Sequence, residues 1–91
     1  MSFEFDPAKS AANFAKHGID FEAAQALWLD DDAFELEARS TTERRLALIG
    51  MIEGKHWIAF FTPRGETIRI ISVRRARENE AQAYERRKEG H

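Results

Sequence analysis

The sequence predicts an α+β fold: two N-terminal helices, a four-stranded antiparallel sheet and one C-terminal helix. Three observations support this prediction. Alanine and larger apolar residues recur at helical spacing over residues 7–29, whereas residues 33–73 form four short runs rich in β-branched and aromatic side chains. After residue 76 the strand formers give way to Ala, Glu, Arg and Gln. Because consecutive antiparallel strands usually pair with their neighbours, the four strands are expected to form a meander.

The first helix has recognisable start and stop residues. Asp6 is the expected N-cap, Pro7 the first helical residue, and Gly18 the left-handed residue that ends the helix after His17. Before this helix, residues 3–5 are expected to form a short extended piece.

The second helix is expected to begin after Asp20, with Ile19 packing onto Ala24 as a hydrophobic staple. It should end near Leu29, because the three carboxylates of residues 30–32 oppose the dipole at a helix C-terminus.

Four strand-like runs and a final helix complete the chain. The runs cover residues 33–37, 45–52, 56–62 and 67–73, and the connections between them cover residues 38–44, 53–54 and 63–66. The final amphipathic helix covers residues 76–89 and ends near Gly90.

Composition narrows the class of protein. Independent domains seldom have fewer than ~50 residues, so a chain of 91 residues is too short for two of them. We expect one domain, residues 1–91. No apolar run approaches the ~18 residues of a membrane span. There is no cysteine, and the histidines at positions 17, 56 and 91 are too dispersed for a metal motif. We therefore expect a cytoplasmic protein with no membrane association, metal or cofactor.

Charge is distributed unevenly along the chain. Residues 1–38 contain nine Asp and Glu against two Lys, whereas residues 39–91 contain seven acidic residues against twelve Lys and Arg. Such asymmetry is typical of a protein that presents one surface to a polyanion and another to a basic partner. The alternative is that the two halves neutralise each other within the fold.

The densest group of basic residues is the segment 64–77, which contains five arginines and a single glutamate. In a regular strand, Arg69 and Ile71 face one side of the sheet while Ile70 and Ser72 face the other.

Arg64 in the preceding turn, and Arg74 and Arg75 after the strand, are expected to converge near the strand ends. Guanidinium groups bind phosphate oxygens bidentately and stay charged, which suits RNA binding and the stabilisation of a phosphorane transition state. The alternative interpretation is an exposed edge strand whose charges prevent aggregation.

Two other pairs of residues have both a functional and a structural interpretation. Lys16 and His17 are candidates for proton transfer and phosphate neutralisation, or they form a helix C-cap. Glu80 and Tyr84, one helical turn apart, are a base with a stacking or hydrogen-bonding partner, or they belong to a packed helix. The aromatic residues of the third strand are more typical of a core than of base stacking: Trp57, Phe60 and Phe61.

Several motifs occur together in one known family. They are residues 3–9 (FEFDPAK), Asn13, residues 16–19 (KHGI), Phe21, Ala24, residues 49–50 (IG), 64–65 (RG), 69–76 (RIISVRRA), Glu80 and residues 84–85 (YE). In this order and spacing they resemble the BrnT toxins of bacterial type II toxin–antitoxin systems over nearly the whole chain. The sequence differs at Val73, where the family usually has alanine, and at Ala81, where arginine is common.

The resemblance implies a RelE-like ribonuclease fold, RNA cleavage without a metal, and neutralisation by a BrnA antitoxin. That antitoxin carries a ribbon-helix-helix domain, so contact with DNA is expected only through it.

We therefore expect an endoribonuclease toxin that uses the 2′-hydroxyl of RNA as nucleophile and inhibits translation and growth. Phosphate and transition-state contacts are expected from Arg64, Arg69, Arg74 and Arg75, and a further RNA contact from Arg77. Lys16 and His17 are expected to move protons or stabilise the leaving group, and Glu80 to act as a general base or supporting carboxylate. The alternative is a non-catalytic module whose arginine-rich strand only binds RNA or an acidic protein segment.

Overall fold

The computed structural model describes residues 1–40 and 42–90. Thr41, in the predicted connection between the first two strands, and His91, one of the dispersed histidines, lie outside the described residues. In chain order the elements are β1 (Ser2–Glu4), α1 (Pro7–His17), α2 (Phe21–Ala24), a 3₁₀ helix (Gln25–Leu29), β2 (Phe34–Ala38), β3 (Arg45–Ile52), β4 (Lys55–Arg64), β5 (Thr67–Arg75) and α3 (Glu78–Glu89).

The predicted caps of α1 are confirmed. A carboxylate oxygen of Asp6 accepts a hydrogen bond from the Ala8 N–H at 2.8 Å, and Pro7 occupies the first turn, where its missing N–H removes no helical bond. At the other end, Gly18 has a φ of 79° and donates its N–H to the Phe14 carbonyl at 2.9 Å.

The second helix is shorter than predicted. Asp20 caps it as expected, accepting a hydrogen bond from the Ala23 N–H at 2.8 Å, but α2 ends at Ala24 and the chain continues to Leu29 as the 3₁₀ helix. Ala24 and Leu27 are both fully buried. Because a 3₁₀ helix aligns side chains three residues apart, packing of these two residues against the sheet favours the tighter helix.

The predicted number of strands is wrong. The strands from β2 to β5 form the expected antiparallel meander, but β1 adds a fifth strand parallel to β5, so the sheet is mixed and has the order β1-β5-β4-β3-β2. With three residues, β1 is too short to show a period-two pattern. Contacts distant in sequence hold it: the Ser2 and Thr67 hydroxyl oxygens lie 2.8 Å apart, and Phe3 pairs with Ile68.

The two faces of the sheet are covered differently. One face packs against α1, α2 and the 3₁₀ helix and carries most of the core, including Phe21, Leu27, Phe61, Ile70 and Val73. On the other face, Tyr84 of α3 covers Ala47, Ile49 and Ile58. Beyond this contact several side chains of that face, such as Phe60 and Arg69, are only half-buried.

A side-chain amide anchors α1 to the sheet. Beyond Arg69, the outer edge of β5 has no partner strand in the register of β1. There Asn13 accepts a hydrogen bond from the Val73 N–H at 3.1 Å and donates one to the Val73 carbonyl at 2.9 Å. Its amide nitrogen also donates to the Ile19 carbonyl at 2.8 Å. Asn13 thus replaces a neighbouring strand and fixes α1 beside the second half of β5.

Candidate nucleic-acid interface

A register shift decides which β5 side chains share a face. Arg69 lies opposite Thr62 and Ser72 lies opposite Phe60, with an irregularity between Phe60 and Phe61 that leaves Ile71 without a directly opposite residue. The expectation that Ser72 shares a face with Ile70, opposite Arg69, is therefore wrong. Arg69 and Ser72 lie on the same side of the sheet.

Four arginines and one aromatic residue occupy the face that α3 leaves partly uncovered. Strand alternation places them on the side opposite the buried Leu46, Phe61 and Ile70. We call the surface formed by Arg45, Arg64, Arg69, Arg74 and Phe60 the arginine face.

Arg74 is the most constrained member of this surface. Its two terminal nitrogens donate to the two carboxylate oxygens of Glu80 at 2.9 and 3.0 Å, and its guanidinium lies 5.4 Å from the centre of the Phe60 ring. The Arg74 and Glu80 side chains are only 22% and 17% exposed. This bidentate pair ties the end of β5 to the first turn of α3.

Glu80 is held as an ionised acceptor. It also accepts the Arg77 N–H at 2.7 Å, which caps the start of α3. The hydrogen bonds from Arg74 outweigh the opposing effect of burial, and together with the Arg77 N–H they lower the pKa of Glu80 below its usual value. Its carboxylate is therefore a poor proton acceptor in this geometry.

Arg69 and Arg64 are less constrained. One terminal nitrogen of Arg69 donates to Glu4 at 2.8 Å, a contact between β5 and β1 in which the two side chains are 32% and 40% exposed. Arg64, the last residue of β4, is exposed, and within residues 1–40 and 42–90 its side chain has no hydrogen-bond or ion-pair partner.

The remaining arginines do not converge with these groups as expected. Because β5 extends through Arg75, Arg74 and Arg75 point to opposite sides of the strand. The guanidinium of Arg75 lies 5.4 Å from the Trp57 ring centre, and its Nε donates to the His56 carbonyl at 3.3 Å.

Arg64 is far from both of these arginines. It lies opposite Thr67, about 20 Å along the strand from Arg74 and Arg75 at ~3.3 Å per residue.

Lys16 and His17 lie beside the middle of β5. They are in the last turn of α1 and line an open cleft of about 230 Å³, whose other wall includes Ile71 and Ser72. Ser72 lies between Arg69 and Arg74 along β5, but neither arginine lines the cleft.

Sequence reasoning missed Arg45 and did not separate Phe60 from its neighbours. Trp57 and Phe61 are buried in the core, whereas Phe60 is half-buried on the arginine face. The Nε of Arg45 is buried and has no hydrogen-bond acceptor in the described part of the chain. Alternation from the buried Leu46 places Arg45 on the opposite side of the sheet, the side that carries Phe60.

A second imidazole lies beneath α3. His56 Nε2 is 2.7 Å from a carboxylate oxygen of Glu85, and the ring meets Tyr84 edge-to-face at 5.3 Å. The Tyr84 hydroxyl donates to Asp30 at 2.8 Å and has no bond to Glu80. Of the two interpretations of Glu80 and Tyr84, the packed helix is therefore the one observed, with Tyr84 buried. Burial and the Asp30 carboxylate raise the pKa of Tyr84 well above its usual value.

The described residues contain neither a metal-binding group nor a membrane-spanning helix. Among residues 1–40 and 42–90, no three His, Asp or Glu side chains are grouped so that they would hold a metal ion. No helix in the same ranges is both long enough and apolar enough to cross a membrane.

A comparison with known protein families gives a match over most of the chain. A family profile described as the ribonuclease toxin BrnT of type II toxin–antitoxin systems matches residues 5–80 of the 91-residue chain. A search of curated proteins finds no match. The matched segment contains Lys16, His17, the arginine face and Glu80. Since the profile covers most of the chain, the protein belongs to the BrnT family of ribonuclease toxins of type II toxin–antitoxin systems.

Proposed function

We propose that this BrnT-family toxin is an endoribonuclease that cleaves RNA through its 2′-hydroxyl, without a metal ion, and thereby stops translation and growth in the cytoplasm. The arginine face carries the proposal: carboxylates of the protein hold Arg69 and Arg74 on either side of Ser72. Guanidinium groups fixed in this way stabilise charge developing on phosphate oxygens without having to reorient during the reaction.

The scissile phosphate is proposed to bind between Arg69 and Arg74. Arg69 uses one terminal nitrogen on Glu4, which leaves its other donors for a phosphate. Arg64, Arg75 and Arg77 are exposed and are proposed to contact phosphates on either side of the cleavage position.

Glu80 is proposed to position Arg74 rather than to accept a proton. Its lowered pKa makes it a weak base near neutral pH, and both oxygens already bind the guanidinium of Arg74. A carboxylate in this role sets the orientation and the charge of the group that contacts the phosphate.

Lys16 and His17 are proposed to move the protons. The 2′-oxygen attacks phosphorus as neutral His17 takes the 2′-hydroxyl proton, the bond from phosphorus to the 5′-oxygen breaks, and Lys16 protonates the departing oxygen. The products are a 2′,3′-cyclic phosphate and a 5′-hydroxyl, with no water consumed in this step. The position of the Lys16–His17 cleft beside Ser72 supports the assignment.

The first experiment tests the chemistry. Cleavage of a labelled RNA should persist in EDTA and should yield 3′ ends that resist ligation until the cyclic phosphate has been opened and the resulting phosphate removed. An Arg69→Ala protein purified in parallel controls for contaminating ribonucleases. Loss of cleavage in EDTA with recovery in Mg²⁺ would overturn the metal-independent mechanism, and tight RNA binding without cleavage would indicate a non-catalytic module.

The second experiment compares the two described histidines. Asparagine at position 17 preserves a polar group near the C-terminus of α1, so His17→Asn should remain folded and lose at least about 100-fold in kcat, the range of general acid–base catalysis. His56→Gln, in contrast, should change kcat little. If the folded His17→Asn protein cleaves normally while His56→Gln is inactive, the proton acceptor is the His56–Glu85 pair.

A toxin of a type II system has a protein antitoxin as partner. We propose a BrnA-like antitoxin whose ribbon-helix-helix domain dimerises, so that two toxins associate with one antitoxin dimer. Light scattering of the co-expressed pair should give the mass of a hetero-oligomer. Separate elution of the two proteins would contradict this assembly.

A further inference from the structure

Large apolar side chains are exposed on the side of the molecule formed by β1 and the N-terminal helices. Met1, Phe14 and Leu29 are 82%, 59% and 83% exposed. Two open grooves lie among them, with volumes of about 610 and 360 Å³, and Glu22 borders both. We call these two adjoining depressions the N-terminal groove.

The larger part of the N-terminal groove has a firm apolar floor. The Trp28 ring packs edge-to-face against Phe3 at 5.1 Å and against the core residue Phe61 at 5.2 Å. Ala23 and Ala26 line the same depression, and their small side chains keep it open. A shape of this kind accepts protruding apolar side chains from a partner.

Acidic residues border the apolar surface. The charged side chains that line the two depressions are Asp20 and Glu22, and neither depression is lined by Lys or Arg. This side of the molecule also belongs to the strongly acidic part of the sequence, residues 1–38. A complementary partner therefore combines apolar anchors with flanking positive charges.

A second copy of the chain satisfies this requirement poorly. In a two-fold symmetric contact each surface meets itself, so the acidic border of one copy would lie against the acidic border of the other. Like charges brought together in a partly desolvated interface oppose association.

We propose that the N-terminal groove docks a basic amphipathic helix of the protein antitoxin. Apolar side chains spaced at i, i+3 or i+4, and i+7 would enter the groove, and Lys or Arg residues on the flanks would approach Asp20 and Glu22. The proposal rests on the toxin–antitoxin part of the proposed function and not on the cleavage mechanism. Because the groove and the arginine face lie on opposite sides of the sheet, docking and catalysis are separable by substitution.

The experiment measures the affinity of the purified antitoxin for toxin variants by calorimetry. Leu29→Asp should weaken binding about 30-fold, a factor typical of losing an interface anchor, and Glu22→Lys about tenfold. Leu29 and Glu22 are both exposed. Leu29→Asp and Glu22→Lys should therefore keep the wild-type melting temperature and the wild-type rate of RNA cleavage. Leu36→Asp is the matched control, since Leu36 is 40% exposed on β2, outside the groove, and its affinity should stay unchanged.

The other outcomes would overturn the proposal. Wild-type affinity of both Leu29→Asp and Glu22→Lys would exclude the groove, and weakening by Leu36→Asp alone would move the contact to the edge strand β2. Loss of affinity in Arg69→Ala alone would place the antitoxin on the arginine face. If the free toxin is a dimer that Leu29→Asp dissociates, the occupant is a second copy. The affinities are measurable even if the protein cleaves no RNA, so failure of the nuclease proposal remains distinguishable.

Discussion

The two faces of the sheet differ in what they carry: one carries most of the apolar core, and the other carries the arginines that we propose act on RNA. The face under α1, α2 and the 3₁₀ helix is filled by large apolar side chains, among them Leu27, Phe61 and Val73. The other face has a small apolar cluster around Tyr84 and then carries guanidinium groups paired with carboxylates. Since a single strand, β5, contributes Ile70 and Val73 to one face and Arg69 and Arg74 to the other, substitutions a few residues apart should have opposite phenotypes.

The largest effect on stability is expected at the anchor between α1 and β5. Asn13→Ala removes the partners of the Val73 N–H and carbonyl and of the Ile19 carbonyl. Losing these buried bonds should lower the free energy of unfolding by about 3 kcal/mol, as measured by urea denaturation. Asn79→Ala, at an exposed position of α3, is the control. A loss below about 1 kcal/mol for Asn13→Ala would show that the amide is not the main anchor.

The arginine face should respond in the opposite way. Arg69→Ala removes a guanidinium proposed to contact the scissile phosphate, so kcat/KM for RNA cleavage should fall about 100-fold, or ~2.7 kcal/mol of transition-state stabilisation. Because its pair with Glu4 is partly exposed, the unfolding free energy should change by less than about 1 kcal/mol. Arg86→Ala, an exposed arginine on α3, should cleave normally. If kcat/KM falls equally in Arg69→Ala and Arg86→Ala, the loss reflects the overall charge of the protein and not a specific contact of Arg69.

The sequence predicted the features that depend on local signals. Asp6 and Gly18 cap α1, and the strand-forming runs with their short connections predict the meander from β2 to β5, so signals close together in the sequence suffice to infer both. The contribution of β1 to the sheet was missed because three residues carry no period. The end of α2 at Ala24 was missed because the helix type depends on packing with the sheet.

The same distinction applies to the candidate site. Composition located the arginines, but their faces depend on the register shift beside Phe60, which is a property of two strands together. The pairing of Arg74 with Glu80 joins β5 to α3 across a turn, and no spacing rule separates it from the alternative pair of Glu80 with Tyr84. Residue types were therefore predictable, whereas the partners that orient them were not.

The Arg74–Glu80 pair, which joins β5 to α3, should make the unfolding free energy depend on pH. The folded-state pKa of Glu80 lies below its usual value of 4.5, chiefly because of the Arg74 hydrogen bonds. The pair therefore contributes stability that is fully present above about pH 4.5 and is lost as the pH falls through the folded-state pKa. Glu80→Gln should lower the unfolding free energy by about 1–2 kcal/mol at pH 7.

In acid the difference between Glu80→Gln and the wild type should disappear, because the wild-type carboxyl is then protonated as well. Urea denaturation at several pH values measures this convergence. Glu78→Gln, on the exposed side of the same helical turn, should parallel the wild type throughout. If the difference in unfolding free energy between Glu80→Gln and the wild type stays constant from pH 7 to pH 3, side-chain packing, and not the charge of Glu80, stabilises the contact between β5 and α3.

The smallest effect is expected at Tyr84, which packs α3 against the small apolar cluster of the sheet. Tyr84→Phe keeps the ring over Ile49 and Ile58 and removes only the hydrogen bond to Asp30. Asp30 retains its bonds from the Met51 and Asp32 N–H groups, so the unfolding free energy should fall by about 1 kcal/mol. Because the high pKa of Tyr84 makes its hydroxyl a poor proton donor, cleavage should stay within about twofold of the wild type. A folded Tyr84→Phe protein that loses cleavage would extend the catalytic surface under α3 and toward the His56–Glu85 pair.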